Sequence, residues 1–173
     1  MIKQLVTLTI FVLTLNSQAS ADLWLGQLDF EDFRVEAVHD GKPVFPDFDA
    51  RDKWARKFRT RLRSGVENGT NFAGHYALIE IGCGTSCRHA YVTDLISGKV
   101  FNFPYGGEEH YEMNLVYYPW SNLVHVQWRS QRDAVYSTEG EFLAQCIAQD
   151  LEWNGTNFNV LREKSFETKG YCN

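Results

Sequence analysis

Asn71-Phe72-Ala73-Gly74-His75-Tyr76-Ala77-Leu78-Ile79-Glu80-Ile81-Gly82-Cys83-Gly84-Thr85-Ser86-Cys87-Arg88-His89-Ala90-Tyr91-Val92-Thr93-Asp94-Leu95 is the run on which the reading of the fold turns. His75 to Ile81 and His89 to Leu95 are rich in β-branched and aromatic residues and follow a two-residue period, so each reads as a strand. Between them lie two cysteines with three residues between them, and Gly82 and Gly84 are free to take backbone angles closed to other residues. The stretch therefore predicts a hairpin whose tip can be closed by a Cys83 to Cys87 bridge. Outward-turned N–H groups of residues 84 to 87 would suit an anion, and equally suit a stapled turn with no ligand.

The same period continues toward the C-terminus. Val100 to Phe103, Met113 to Tyr118, Leu123 to Trp128, Ala134 to Thr138, Glu141 to Trp153 and Phe158 to Arg162 read as further strands. They are separated by Ser97-Gly98, Pro119-Trp120-Ser121-Asn122, Glu139-Gly140 and Asn154-Gly155, the turn chemistry of successive antiparallel hairpins. No helical pattern intervenes, so an antiparallel meander is expected, curled into a sandwich, a partial barrel or propeller-like blades.

Toward the N-terminus, Phe33 to Val38 and Val44-Phe45 read as short strands about the turn His39-Asp40-Gly41-Lys42. A single amphipathic helix follows, capped by Asp47 or Asp49 and running to about Ser64. Trp54, Phe58 and Leu62 form its buried stripe, and Gly65 is its stop. The expected class is α+β, β-dominated, with this helix packed on the sheet.

The first residues set the compartment. Lys3 precedes an apolar run from Leu5 to Leu15, and Ala19-Ser20-Ala21 has the small-x-small pattern of a cleavage site, so residues 1–21 read as a signal peptide and 22–173 as one secreted β-rich domain. The run is short for a permanent span, and no Cys follows the cleavage site to accept a lipid, so stable membrane insertion after cleavage is not expected.

With 173 residues, 44% hydrophobic and 23% charged, the chain has ample core material and is no multi-span membrane protein. Removing the leader leaves 16 Lys+Arg against 22 Asp+Glu, a charge of −6. Residues 49–67 hold seven positive and three negative side chains, so this segment is +4 and the remainder −10. An acidic chain of this kind is no nucleic-acid binder. The basic face, with Arg56, Arg59 and Arg63, either neutralises the acidic body or meets an anionic lipid or cell-wall polymer.

An exported chain with Cys83, Cys87, Cys146 and Cys172 is expected to carry two disulfides. Three connectivities exist; proximity and the tail position of Cys172 favour 83 with 87 and 146 with 172.

Asn-Phe-Ala-Gly-His-Tyr at 71–76, Gly-Cys-Gly-Thr-Ser-Cys at 82–87 and Asp94 with Gly98-Lys99-Val100 resemble a family of small exported bacterial proteins sharing N-F-A-G-H-Y, G-C-G-T-x-C and D-x-x-x-G-K-V. The resemblance covers roughly residues 50–104. It implies a periplasmic or secreted β-rich domain and brings no catalytic assignment.

Several residues have the right types for chemistry. His75, Cys83, Cys87 and His89 could serve a Cys/His hydrolase or a thiol oxidoreductase, but paired thiols in an oxidising compartment offer no thiolate, and redox motifs of the usual kind have a two-residue spacer at a helix start. The same four as a zinc set fail on strand geometry, since His75 begins the strand that ends near the cysteines. No metal and no cofactor is therefore assigned. Glu108, Glu109, His110 and Glu112 read as a solvated acidic loop after Tyr105-Gly106-Gly107. Tyr117, Tyr118 and Trp120 cluster at a turn, as satellite core or as a contact patch for sugar or protein. The residues taken together point to a disulfide-stabilised binding module for an envelope protein or cell-wall polymer, in the manner of an inhibitor or immunity protein. The alternative is the Cys/His enzyme on the Gly-Cys-Gly-Thr-Ser-Cys loop.

Overall fold

A computed structural model describes residues 28–130 and 135–172; the expected leader lies outside the described residues. Tyr76–Gly84 (β1) and Cys87–Asp94 (β2) form the expected hairpin, and Val100–Gly106 (β3) pairs with β2 to complete an antiparallel sheet in the order β1-β2-β3. A second antiparallel sheet is built from Tyr111–Tyr117 (β4), Leu123–Arg129 (β5), Val135–Tyr136 (β6), Phe142–Trp153 (β7) and Phe158–Lys169 (β8). Its spine is β4-β5-β7, with β8 along the other edge of β7 and β6 pairing only Phe142 and Leu143. The longest ladder, β7 with β8, runs from Trp153↔Phe158 to Leu143↔Lys169, so β8 extends well past the expected end at Arg162.

The two sheets face one another as a sandwich. Leu78, Ala90, Val92 and Phe103 from the first sheet meet Met113, Leu115, Val124, Val126, Trp128, Leu151 and Trp153 from the second. Phe72 sits at the centre of this core, fully buried, stacked on Phe158 and edge-on to Tyr117. The alternate side chains of β1 and β2, Ala77, Ile79, Ile81 and Tyr91, point the other way and are covered by the helix, which makes three layers.

The helix differs from expectation in three respects. Residues Lys53–Phe58 form a tighter 3-10 turn before Arg59–Glu67 (α1), and this change of period re-aims the stripe. Ala55, Leu62 and Val66 are fully buried, whereas Trp54, expected in the core, is 45% exposed and only tilts over Tyr91 at 6.0 Å. Gly65 does not stop the helix. It lies inside α1, where an added Cβ would fall 2.5 Å from Ile79 Cγ1, so glycine permits the helix to sit down on β1. The chain leaves the helix at Gly69, whose φ of +81° suits the left-handed exit.

Asp52, a residue without an assigned role in the sequence reading, is 1% exposed and holds this region to the sheet. One carboxylate oxygen accepts from the Val100 N–H at 3.2 Å; the other accepts from the Asp47 N–H and pairs with Arg51 at 3.0 Å. Asp47 caps the preceding turn by accepting from Asp49 and Ala50 N–H.

The short strands expected near the N-terminus do not form. Phe30–Phe33 is a 3-10 turn capped by Asp29, Arg34 makes a single bridge to Ser121, and the chain then runs as a strap. Its N–H groups are satisfied one at a time, Val35 by Trp120 O at 2.9 Å and His39 by Gly74 O at 2.6 Å, so no ladder develops. Val44-Phe45 likewise forms no ladder, with the Val44 N–H donating to Leu95 O at 2.8 Å. Within the expected strand Ala134 to Thr138, Val135–Tyr136 pairs, and Ala134 lies outside the described residues.

Candidate functional site

The densest run of special residues separates into parts that build the fold and one that does not. Asn71 acts as a surrogate strand: its side-chain amide donates to Leu78 O at 3.0 Å and accepts from Leu78 N–H at 2.7 Å. Ala73 and Gly74 take φ of +44° and +85°, and a Cβ on Gly74 would meet Ala37 O at 2.8 Å. Their N–H groups reach Ser121 O and Pro119 O, so Asn71 to Tyr76 ties the strap, the turn at 119–121 and β1 into one knot. Asp94 builds the β2 to β3 turn in the same way, accepting from Ile96 N–H at 2.8 Å and from the Ser97 hydroxyl at 2.6 Å. Gly98 fits there because an added Cβ would lie 2.5 Å from Phe45 O.

The hairpin tip is different. Cys83 and Cys87 are bridged, with Cα atoms 5.1 Å apart, and Gly82 to Ser86 are all exposed. Gly84 needs its φ of +141°, but Gly82 has an ordinary φ and open space where a Cβ would stand. The fold's own sterics do not call for glycine at 82.

The tip is nonetheless fixed. Ser86, at φ +55°, accepts from the N–H of Glu112, itself at φ +58°, at 2.9 Å. Glu112 is 7% exposed at its side chain; one carboxylate oxygen lies 3.7 Å from Arg129 Nη1 and the other 3.5 Å from the Cys172 N–H. Cys172 is bridged to Cys146 on β7. The guanidinium of Arg129 lies over the Tyr111 ring at 4.6 Å. Both staples, the start of β4 and the end of β5 thus meet at Glu112. Two clefts of about 320 Å³ each open beside the tip: one lined by Cys83, Gly84, Thr85, Cys87, Glu108, Tyr111 and Arg129, the other by residues including Ser86, Arg88, Asn114 and Tyr171. Clusters of positive-φ non-glycine residues of this kind are strained and concentrate where a surface is used.

The remaining candidates are scattered. His75 immediately precedes β1, on the order of 25 Å from the tip at 3.3 Å per residue, and lies 3.8 Å from Asp94. His89 stands opposite Ile81 and faces the helix, its ring 6.2 Å from Phe58. With all four sulfurs in disulfides, His75, Cys83, Cys87 and His89 do not assemble into a nucleophile and base. No group of three metal-binding side chains occurs among the described residues.

Tyr117 points inward, its hydroxyl 3.5 Å from Leu78 O and Glu80, and burial with the Glu80 carboxylate nearby pushes its pKa up to about 12. Tyr118 and Trp120 stack at 5.1 Å on the other side. Arg34 caps Trp120 at 4.9 Å and Phe30 meets Tyr118 at 4.7 Å, so these rings clasp the strap. Arg56, Arg59 and Arg63 are exposed on the helix; Arg56 pairs with Asp49 at 3.3 Å, and Arg63 lies over Phe45. Glu108, Glu109 and His110 are not a uniform solvated loop, because His110 folds back onto Gly106 and packs beside Tyr105 and Trp128.

Glu112, expected in a solvated acidic loop, is instead buried beside Arg129 because the hairpin tip and the C-terminal staple close over it. Arg129 and a buried pair, His125 and Asp150, 2.6 Å apart and each 4% exposed at the side chain, have no role in the sequence reading. The signal was present in β5: His125, Gln127 and Arg129 alternate with Val124, Val126 and Trp128, a polar row on the face opposite the core. Phe30 covers His125 at 4.3 Å, and the Leu28 N–H donates to Asp150 at 3.1 Å, which pins the strap. Burial lowers the His125 pKa, opposed by Asp150.

Fold and site together define a helix-covered antiparallel β-sandwich with two disulfides and a stapled, exposed hairpin tip. No family model, curated protein or solved structure matches the chain. No helix among the described residues is long and apolar enough to cross a membrane.

Proposed function

We propose that this chain is an exported binding module of the bacterial envelope or exterior that presents the Gly82 to Ser86 tip to a protein partner, in the manner of an inhibitor or immunity protein. One observation carries the reading. The tip is held at three points, by the Cys83 to Cys87 bridge, the Gly84↔Cys87 pairing and the Ser86 to Glu112 bond, yet nothing stands where a Cβ on Gly82 or Gly84 would lie. A loop already fixed in one shape loses little conformational freedom on binding, which is how small stapled domains gain affinity. The excess of carboxylates outside the helix favours a basic partner and a salt-sensitive encounter. Two disulfides and the leader-like first residues agree with export. The resemblance at residues 71–100 supports the same compartment.

The test is capture from an envelope extract under non-reducing conditions with the wild type and with Gly82→Arg. The substitution meets no steric obstacle, so the melting temperature stays unchanged while capture of the specific partner is lost. A partner retained equally by Gly82→Arg and by Cys83→Ala/Cys87→Ala overturns the reading. The thiol-enzyme alternative is addressed by titrating the unreduced protein, where two reactive thiols would restore it and none removes its nucleophile.

A further inference from the structure

A second surface lies at the end of the first sheet away from the tip. Val44, Trp54 and Ile96 are 46%, 45% and 56% exposed, three large apolar side chains on segments far apart in sequence. Direct contacts bring those segments together. Val44 N–H donates to Leu95 O at 2.8 Å, Arg51 reaches Ser97 O at 3.2 Å, and Asp52 two residues before Trp54 accepts from Val100 N–H. Gly98 packs under Val44 and Phe45.

The helical segment that carries Trp54 is rich in cations. Arg51, Lys53, Lys57, Lys99 and, further along the helix, Arg59 and Arg61 are exposed. Lys57 lies over the ring of Phe58 at 4.8 Å, which holds its ammonium group on this surface, whereas Lys99 lies over Phe101 at 4.6 Å, a ring on the face of β3 turned toward the second sheet. Among the described residues Lys53, Lys57, Arg59, Arg61 and Lys99 have no salt-bridge partner; Arg51 and Arg56 pair with Asp52 and Asp49.

We propose that this face is a docking surface for an anionic lipid bilayer, with Trp54, Ile96 and Val44 entering the headgroup boundary and the lysines and arginines of the helical segment meeting lipid phosphates. Tryptophan and aliphatic side chains beside a cation-rich segment match both parts of such an interface, apolar below and anionic above. A soluble polyanion offers charge but no hydrocarbon, so it would leave the apolar trio without a role. Charge separation also orients the molecule: the +4 segment is drawn toward a negative surface while the acidic remainder is repelled from it. Docked this way, the β1 and β2 hairpin carries the stapled tip away from the bilayer.

The experiment is co-sedimentation and tryptophan fluorescence of the full chain with vesicles of phosphatidylcholine alone and of phosphatidylcholine with phosphatidylglycerol. Binding is expected only to the second, with a blue shift of emission that Trp54→Ser diminishes, and with loss of binding as salt rises. Lys53→Glu/Lys57→Glu should weaken it by at least about tenfold, and Ile96→Ser should weaken it with the thermal melt unchanged. Equal binding to both vesicles, or binding indifferent to the charge reversal, overturns the proposal, including binding carried by the apolar run Leu5 to Leu15. Tight binding of polyphosphate, with vesicle binding insensitive to Trp54→Ser and Ile96→Ser, would mark the face as a polyanion site and equally overturn it.

Discussion

The N–H of Glu112 donates to the carbonyl of Ser86 at 2.9 Å, joining two non-glycine residues with φ of +58° and +55°. The bond crosses from the β1 to β2 hairpin to the start of β4 in the second sheet. Residues of this kind persist in the left-handed region only where surrounding contacts over-determine them. Here those contacts are the Cys83 to Cys87 bridge on one side, and on the other the Arg129 guanidinium and the Cys172 N–H that meet the Glu112 carboxylate.

Glu112→Ala should therefore destabilise the protein by about 3 to 5 kcal/mol, because it leaves Arg129, 11% exposed at its side chain, without a carboxylate. Urea unfolding of Glu112→Ala, Arg129→Ala and the double variant measures this. A double variant as unstable as the sum of the two singles would mean the residues act independently.

The two disulfides should differ in weight. Loop entropy gives roughly 2 kcal/mol for Cys83 to Cys87 and about 3.5 kcal/mol for Cys146 to Cys172, whose sequence separation is 26. Cys146 and Cys172 are also buried, whereas Cys83 is exposed, so mild reductant should open the tip first. Mass spectrometry after timed reduction and alkylation reads the order directly.

Helix docking rests on Leu62 rather than on Trp54. Leu62→Ala is expected to destabilise by about 2 to 5 kcal/mol, and Trp54→Ala by less than about 1.5 kcal/mol because much of the ring is already in water. Denaturant midpoints compared at equal m-value decide between them.

Two glycines give a paired check on the hairpin. Gly74→Ala meets the Ala37 carbonyl and a left-handed backbone, and should lose about 1 to 3 kcal/mol. Gly82→Ala should change stability by no more than about 0.5 kcal/mol. Thermal melts of the two variants measured side by side suffice.

Acid should loosen the N-terminal strap. Burial holds His125 below its ordinary pKa, so the unfolded chain takes up a proton there before the folded one does. The stabilisation is complete above about pH 6.5, the unperturbed histidine value, and is lost as pH falls below it. Unfolding free energies across that window should slope downward toward acid for the wild type, and His125→Gln should flatten the slope. Hydrogen exchange at Leu28 and Val35 would localise the change.

Much of this protein is legible along the chain. Two-residue periodicity places the strands, and Asn-Gly and Ser-Gly turns make them antiparallel, because strand and turn preferences are local properties of neighbouring residues. Cysteine spacing favours the pairing now found, since only near neighbours can close so small a loop and Cys172 sits at the tail. Other features have no local signature. The 3-10 turn at Lys53–Phe58 leaves Trp54 outward, and Gly65 lies against Ile79 on a strand that begins nine residues after α1 ends. Glu112 and Arg129 become partners only when two sheets close on each other, and His125 finds Asp150 only through the register of β5 against β7. Val44, Trp54 and Ile96 likewise lie on segments that meet only in the folded chain. Backbone geometry and hydrogen bonding are decided between adjacent residues and can be read in order, whereas the encounter of side chains distant in sequence depends on how layers stack, which no local pattern encodes.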